Sequence, residues 1–136
     1  MTRSEMREQI FRLLFRIEFH PEEELSEQLK YLADDEDGTG AGAASPKDIN
    51  YIQTKAAAVA ALAEEIDERI NAVARGWKTK RMGKVELAII RLAVYEMEYD
   101  DDIPTGVAIN EAVELAKKYG TEDAPSFVNG ILAKIA

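Results

Sequence analysis

The ten residues from Arg75 to Lys84, RGWKTKRMGK, hold five basic side chains and no acid, and they include the chain's single tryptophan, Trp77. A run of cations around an aromatic ring suits single-stranded nucleic acid, with ammonium and guanidinium groups on phosphates and a ring stacked on a base. The competing reading is a solvated loop that leaves Lys80, Arg81 and Lys84 in water and tucks Trp77 into the core, the commoner fate of tryptophan. A second candidate is the pair Arg3 and Arg7, one turn apart near the start of the chain. Arginine suits phosphate through its forked donors. Against this stands simple pairing with Glu5 and Glu8 along a helix, worth only about 0.2–0.5 kcal/mol per pair. Third come Asn110-Glu111 and Asn129-Gly130, polar pairs on otherwise apolar helical patterns. A buried asparagine must be hydrogen-bonded, so these are expected to tie helices together. Glu111 and Glu114, one turn apart, have the spacing of an ordinary exposed helix face.

Catalysis has little to work with. There is no cysteine and one histidine, His20, which leaves almost nothing for a thiolate, a transition-metal site or a histidine-based triad. No glycine-rich phosphate loop, HExxH pattern or Gly-x-Ser-x-Gly elbow occurs. The expectation is a protein that is not an enzyme and needs no cofactor and no metal. Net charge is −9 but unevenly placed: residues 1–17 balance to +2, 18–37 to −8 and 75–91 to +5. An acidic protein repels polyphosphate at long range. A local basic stripe still binds it, because screening confines the repulsion to about 8–10 Å at physiological salt. Charges interrupt every apolar stretch well short of the roughly 18–20 residues of a membrane span. Met1 to Gln9 is polar, with no apolar segment of signal-peptide type. The reading is cytoplasmic, with no membrane contact.

These residues need elements to hold them, and the apolar spacing supplies mostly helices. The chain of 136 residues is the usual size of one domain. A first helix is expected over about Arg3–Phe19, with Ile10, Leu13, Leu14 and Ile17 on one face and Phe11 and Phe15 widening it. His20-Pro21 ends it. Pro21 then opens a short second helix with Glu22, Glu23 and Glu24 at its positive end and Leu25, Leu29 and Leu32 along one edge. Residues 34–45, DDEDGTGAGAAS, read as a surface loop. Ser45 caps and Pro46 starts a long helix that runs on to about Ala74. Gly76 and Gly83 bracket the basic connector. The next helix, about Lys84–Tyr99, is apolar nearly all round and should be the buried central one. A helix from about Gly106 to Tyr119 closes on Gly120 as a left-handed residue. Asp123-Ala124-Pro125-Ser126 opens the last, with Phe127, Val128, Ile131, Leu132 and Ile135 as its stripe. The fold class is all-α, with six to seven helices.

From Val85 onward three pieces stand out: RLAVYE (Arg91 to Glu96), IPTGVAINEAVELAK (Ile103 to Lys117) and FVNGIL (Phe127 to Leu132). In this order and spacing they closely resemble the C-terminal half of the NusB transcription antitermination factors. Arg7-Glu8 followed by Phe11, Leu13, Leu14 and Phe15 is similar to that family's first helix, so the resemblance runs end to end and is weakest over residues 20–70. It implies one NusB-like domain over 1–136, two small packed helical bundles, with an N-terminal subdomain to about residue 76 and a C-terminal one over about 77–136. It implies boxA RNA of nascent ribosomal RNA transcripts as ligand, NusE (a small-subunit ribosomal protein) as partner, and a place in the RNA polymerase antitermination complex. By resemblance Arg3 and Arg7 match the family's arginine-rich start, thinned here by Ser4, Glu5 and Met6. Lys84, Arg91 and Asp123 fall on or beside RNA-associated positions, and Glu86 on the partner-facing side. Some members pair into homodimers that hide the RNA surface, and the apolar faces here leave that state open. Two rivals remain. The ribosomal RNA cytosine methyltransferases open with a similar domain but continue into a catalytic part with a nucleophilic cysteine. A purely protein-binding helical scaffold, with little RNA affinity of its own, would share the fold.

Overall fold

The computed structural model describes residues 1–19, 45–76 and 78–136. Trp77, His20, the expected helix after Pro21 and all of the acidic loop except Ser45 lie outside the described residues. Those residues form six α-helices and one short 3-10 turn, with no strand among them: α1 (Arg3–Phe19), α2 (Pro46–Ala61), α3 (Ala63–Val73), the turn Thr79–Arg81, α4 (Lys84–Tyr99), α5 (Thr105–Tyr119) and α6 (Ala124–Ile135). The chain divides into two compact units, Met1–Ala60 and Ala61–Ala136. Within the second unit α3 makes contacts with α4, α6 and the 3-10 turn.

In the first unit, capping sets where the helices begin. The Glu5 amide donates to Thr2 Oγ1 at 3.0 Å and the Thr2 amide to Glu5 Oε1 at 2.7 Å, a reciprocal box that satisfies two orphan donors of α1. At α2 the Asp48 amide donates to Ser45 Oγ at 3.1 Å and the Ser45 amide to Asp48 Oδ2 at 3.4 Å, so Ser45 is the cap that its residue type predicts. The same Asp48 oxygen accepts from the Met1 ammonium at 3.2 Å. Ile10, Phe11, Leu13 and Leu14 of α1 are buried, as are Ile52, Ala56 and Val59 of α2. Phe11 and Phe15 face each other at 6.1 Å between ring centroids.

These caps predict a pH dependence. The Met1 ammonium beside it holds Asp48 below the usual carboxylate range, and the Thr2 amide does the same for Glu5. A depressed folded-state pKa gives stability that is complete above the unfolded values of about 3.9 and 4.3 and is lost as pH falls through the lower folded ones. The melting temperature should therefore decline below about pH 4. Asp48→Asn should shrink that decline; an identical acid profile for the variant would exclude Asp48 as a contributor.

In the second unit α4 is the centre. Leu87, Ala88, Ile89, Ile90, Leu92, Ala93 and Val94 are buried in succession, because α4 touches α3, α5 and α6. An all-round apolar helix has no other stable place. Glu96, at 1% exposure, is buried with them and is engaged. Side-chain ties lace α3 to α4, among them Tyr99 Oη to Glu65 at 3.4 Å. Arg91 forks onto Asp67, Nε to Oδ1 at 2.8 Å and a terminal nitrogen to Oδ2 at 2.7 Å, and Arg69 Nε reaches Glu98 at 2.9 Å.

Two expectations need correction. The long helix to Ala74 breaks at Leu62, whose φ of −102° and ψ of 10° leave the helical region. The stripe Ile52, Ala56, Val59, Ile66, Ile70 keeps one helical period across the break, so periodicity does not reveal it. Gly120 is not left-handed: its φ is −95°. The glycine is there for room. A Cβ would lie 2.5 Å from Ala124 Cβ and 2.9 Å from the Ala116 carbonyl oxygen, where α5 turns tightly into α6. The one positive φ among the described residues is Gly76 at 79°, just after α3.

Candidate functional site

The basic run becomes a pinned turn. After Gly76, Lys78 is extended, Thr79–Arg81 closes one 3-10 turn, and Met82 is extended again before α4. Thr79 and Met82 are buried; Arg75, Lys78, Lys80, Arg81 and Lys84 are exposed. The turn is fastened by Asn71 of α3, whose Oδ1 accepts from the Thr79 amide at 2.8 Å and whose Nδ2 donates to Thr79 Oγ1 at 3.4 Å. Among the described residues, none of Arg75, Lys78, Lys80 and Arg81 has an ion-pair partner, whereas Lys84 is engaged. The turn offers open cations on a fixed frame, the arrangement phosphates require.

Directly behind it lies a pocket of about 470 Å³ lined by Met82, Gly83, Glu86, Thr121, Asp123, Ala124 and Phe127. The start of α4 supplies Glu86 and the α5–α6 turn supplies Asp123. The Glu86 carboxylate fills the space where a side chain at 83 would go and lies toward Gly120. Two carboxylates over an apolar floor of Met82, Ala124 and Phe127 suit an incoming lysine or arginine, with its stem on the apolar surface and its charge between the acids. Among the described residues no cluster of three or more His, Cys, Asp or Glu side chains could hold a metal ion.

The structure thus gathers Lys80, Arg81, Lys84, Glu86 and Asp123 in one unit around the start of α4. Arg91 is in the same unit, but its fork is closed on Asp67, at 18% side-chain exposure. Arg3 and Arg7 belong to the first unit and differ sharply: Arg3 is exposed, whereas Arg7 is 6% exposed and engaged within the fold. An arginine edge with Arg7 free at the surface is therefore not what α1 presents. Asn129 is exposed, against the expectation of a buried tie, and so is Asn110. Asn129→Leu should accordingly leave the melting temperature within about 2 °C, since surface changes away from special features stay within about 0.5 kcal/mol. A fall of several degrees would return Asn129 to a structural role. Asn71 and Phe127 were not singled out as site residues. An asparagine eight residues before its partner carries no sequence mark, and Phe127 reads as one more residue of an apolar stripe.

The fold and site define a helical protein that sets a basic turn beside an acidic pocket. The sequence profile of the NusB family matches residues 4–136, and the chain belongs to that family. Its members are transcription antitermination factors, not enzymes. The transcription antitermination protein NusB of Agathobacter rectalis is 52% identical over 136 residues, the whole of both chains. That of Lachnoclostridium phytofermentans is 47% identical, over 99% of this chain and 98% of its own. Among solved structures, T. maritima NusB superposes with a TM-score of 0.87 at 33% identity, covering 100% of this chain and 91% of that one. A crystal structure of the antitermination factors NusB and NusE in complex with dsRNA matches with a TM-score of 0.83 at 27% identity, covering 98% and 94%.

Proposed function

We propose that this chain binds boxA RNA of nascent ribosomal RNA transcripts jointly with NusE, as a cytoplasmic component of the RNA polymerase antitermination complex. The observation that carries the reading is the open basic turn set against a two-carboxylate pocket, in a chain similar over 98% of its length to a NusB seen with NusE and RNA. Lys80 and Arg81, with Lys84 beside them, meet phosphate. In the first unit, considered by itself, the exposed Arg3 of α1 is a separate phosphate contact. Glu86, with Asp123 across the pocket, receives a basic side chain of NusE. Arg91 serves this surface from behind, by tying α4 to α3. Among the described residues no helix is long and apolar enough to cross a membrane.

A protein of net charge −9 gains little long-range attraction for RNA. A basic ribosomal protein docked on the acidic pocket supplies the missing charge. The test is a titration of boxA RNA with the chain alone and with NusE, at one moderate salt concentration. Binding should tighten at least about tenfold with NusE, the effect of about 1.4 kcal/mol of added contact. Equal affinity with and without NusE would defeat the joint reading. No binding in either arm would leave a protein-binding scaffold. Light scattering of the chain alone reads out any homodimer in the same samples.

A further inference from the structure

We infer that Asn71, on α3 and outside the basic run, is a positioning residue for the RNA-binding turn. The inference rests on the reading that this turn meets RNA. Lys78, Lys80 and Arg81 flank Thr79, and Thr79 is the residue that is held. Within the turn the backbone makes two short bonds, Arg81 amide to Lys78 carbonyl at 2.9 Å and Met82 amide to Thr79 carbonyl at 3.2 Å. Both are internal, so they shape the turn without attaching it to anything. Attachment comes from the buried side chains of Thr79 and Met82 and from the two bonds of Asn71. Those bonds use the Asn71 carbonyl oxygen as acceptor and its amide as donor, on the amide and the hydroxyl of one residue. An asparagine is the short side chain that offers both from the last turns of a helix.

Without Asn71 the cations remain but must be ordered when RNA arrives. The expected loss is about tenfold in affinity, the scale of restricting one residue's backbone. The signature is specific. Counterion release depends on how many phosphates are neutralised, so Asn71→Ala should leave the slope of log affinity against log salt unchanged and lower affinity equally at every salt. Removal of Lys80 or Arg81 should reduce that slope by about 0.7 each on single-stranded RNA.

The experiment uses the full chain with NusE and a boxA-containing single-stranded RNA, titrated across salt well below each variant's melting point. Variants are Asn71→Ala, Thr79→Ser, Thr79→Val, and Lys80→Ala with Arg81→Ala. Thr79→Ser keeps both bonds and should bind as the parent does. Thr79→Val keeps only the amide bond and should fall between, and it carries the test should Asn71→Ala fold poorly. Amide exchange at Thr79 should quicken in Asn71→Ala. A variant that melts lower yet binds RNA with parental affinity would overturn the positioning role while leaving the turn as an RNA site. If the lysine–arginine variant also binds normally with an unchanged slope, the RNA reading of the turn fails and takes the inference with it.

Discussion

Arg7→Ala should lower stability by about 2–4 kcal/mol, because truncating an engaged, nearly buried arginine removes its interactions and leaves their other ends desolvated. In melting temperature that is a drop on the order of 10 °C for a chain of this size. The sequence pattern offers Arg7 either to phosphate or to simple pairing with Glu5 and Glu8 along the helix, and neither of these predicts so large a stability cost. Arg3→Ala is the companion measurement. Arg3 is exposed, so its loss should leave melting unmoved. Any RNA effect of Arg7→Ala must be read where the variant is fully folded. Parental melting for Arg7→Ala would show that its burial contributes nothing to the fold.

The second large effect is expected at Gly120. An alanine there puts a methyl into Ala124 and the Ala116 carbonyl, so the α5–α6 turn has to shift. Overpacking of this kind costs about 1–3 kcal/mol. If the pocket receives NusE as proposed, the change should also weaken NusE binding, because Thr121 and Asp123 ride on the displaced turn and line the pocket with Glu86. Gly130→Ala is the control. No atom lies within 4 Å of a Cβ built there, and the site is an exposed helix interior, so the change should stabilise by up to about 1 kcal/mol. If Gly120→Ala melts and binds NusE as the parent does, the close approach is not what the glycine provides.

Much of the fold could be read from the residues, for reasons that are local. The limits of α1 and the Ser45 start of α2 follow from caps and apolar spacing, and α4 announces its central place by being apolar on every side. The break at Leu62 could not be read, because the apolar stripe keeps its period through it and the segment holds neither proline nor glycine. Gly120 is recognisable as a helix end from its type, yet its reason is space, which depends on where Ala124 folds back. The site divides in the same way. The basic run is a composition signal and stays exposed. Whether an individual polar side chain is buried is a tertiary fact, and that is why Arg7 is buried and Asn129 exposed where the sequence pattern suggested the reverse. The pocket joins residues 35 to 45 positions apart, and no spacing rule connects Glu86 to Asp123 and Phe127.

The unpaired cations of the 79–81 turn also bear on how fast RNA is captured. An arginine already closed on a carboxylate, as Arg91 is on Asp67, must break that pair before a phosphate can take its place. Among the described residues Lys80 and Arg81 have no ion pair to release. If the turn meets RNA as proposed, that encounter breaks no ion pair among the described residues first. A surface whose cations are open before contact needs no rearrangement to receive an anion.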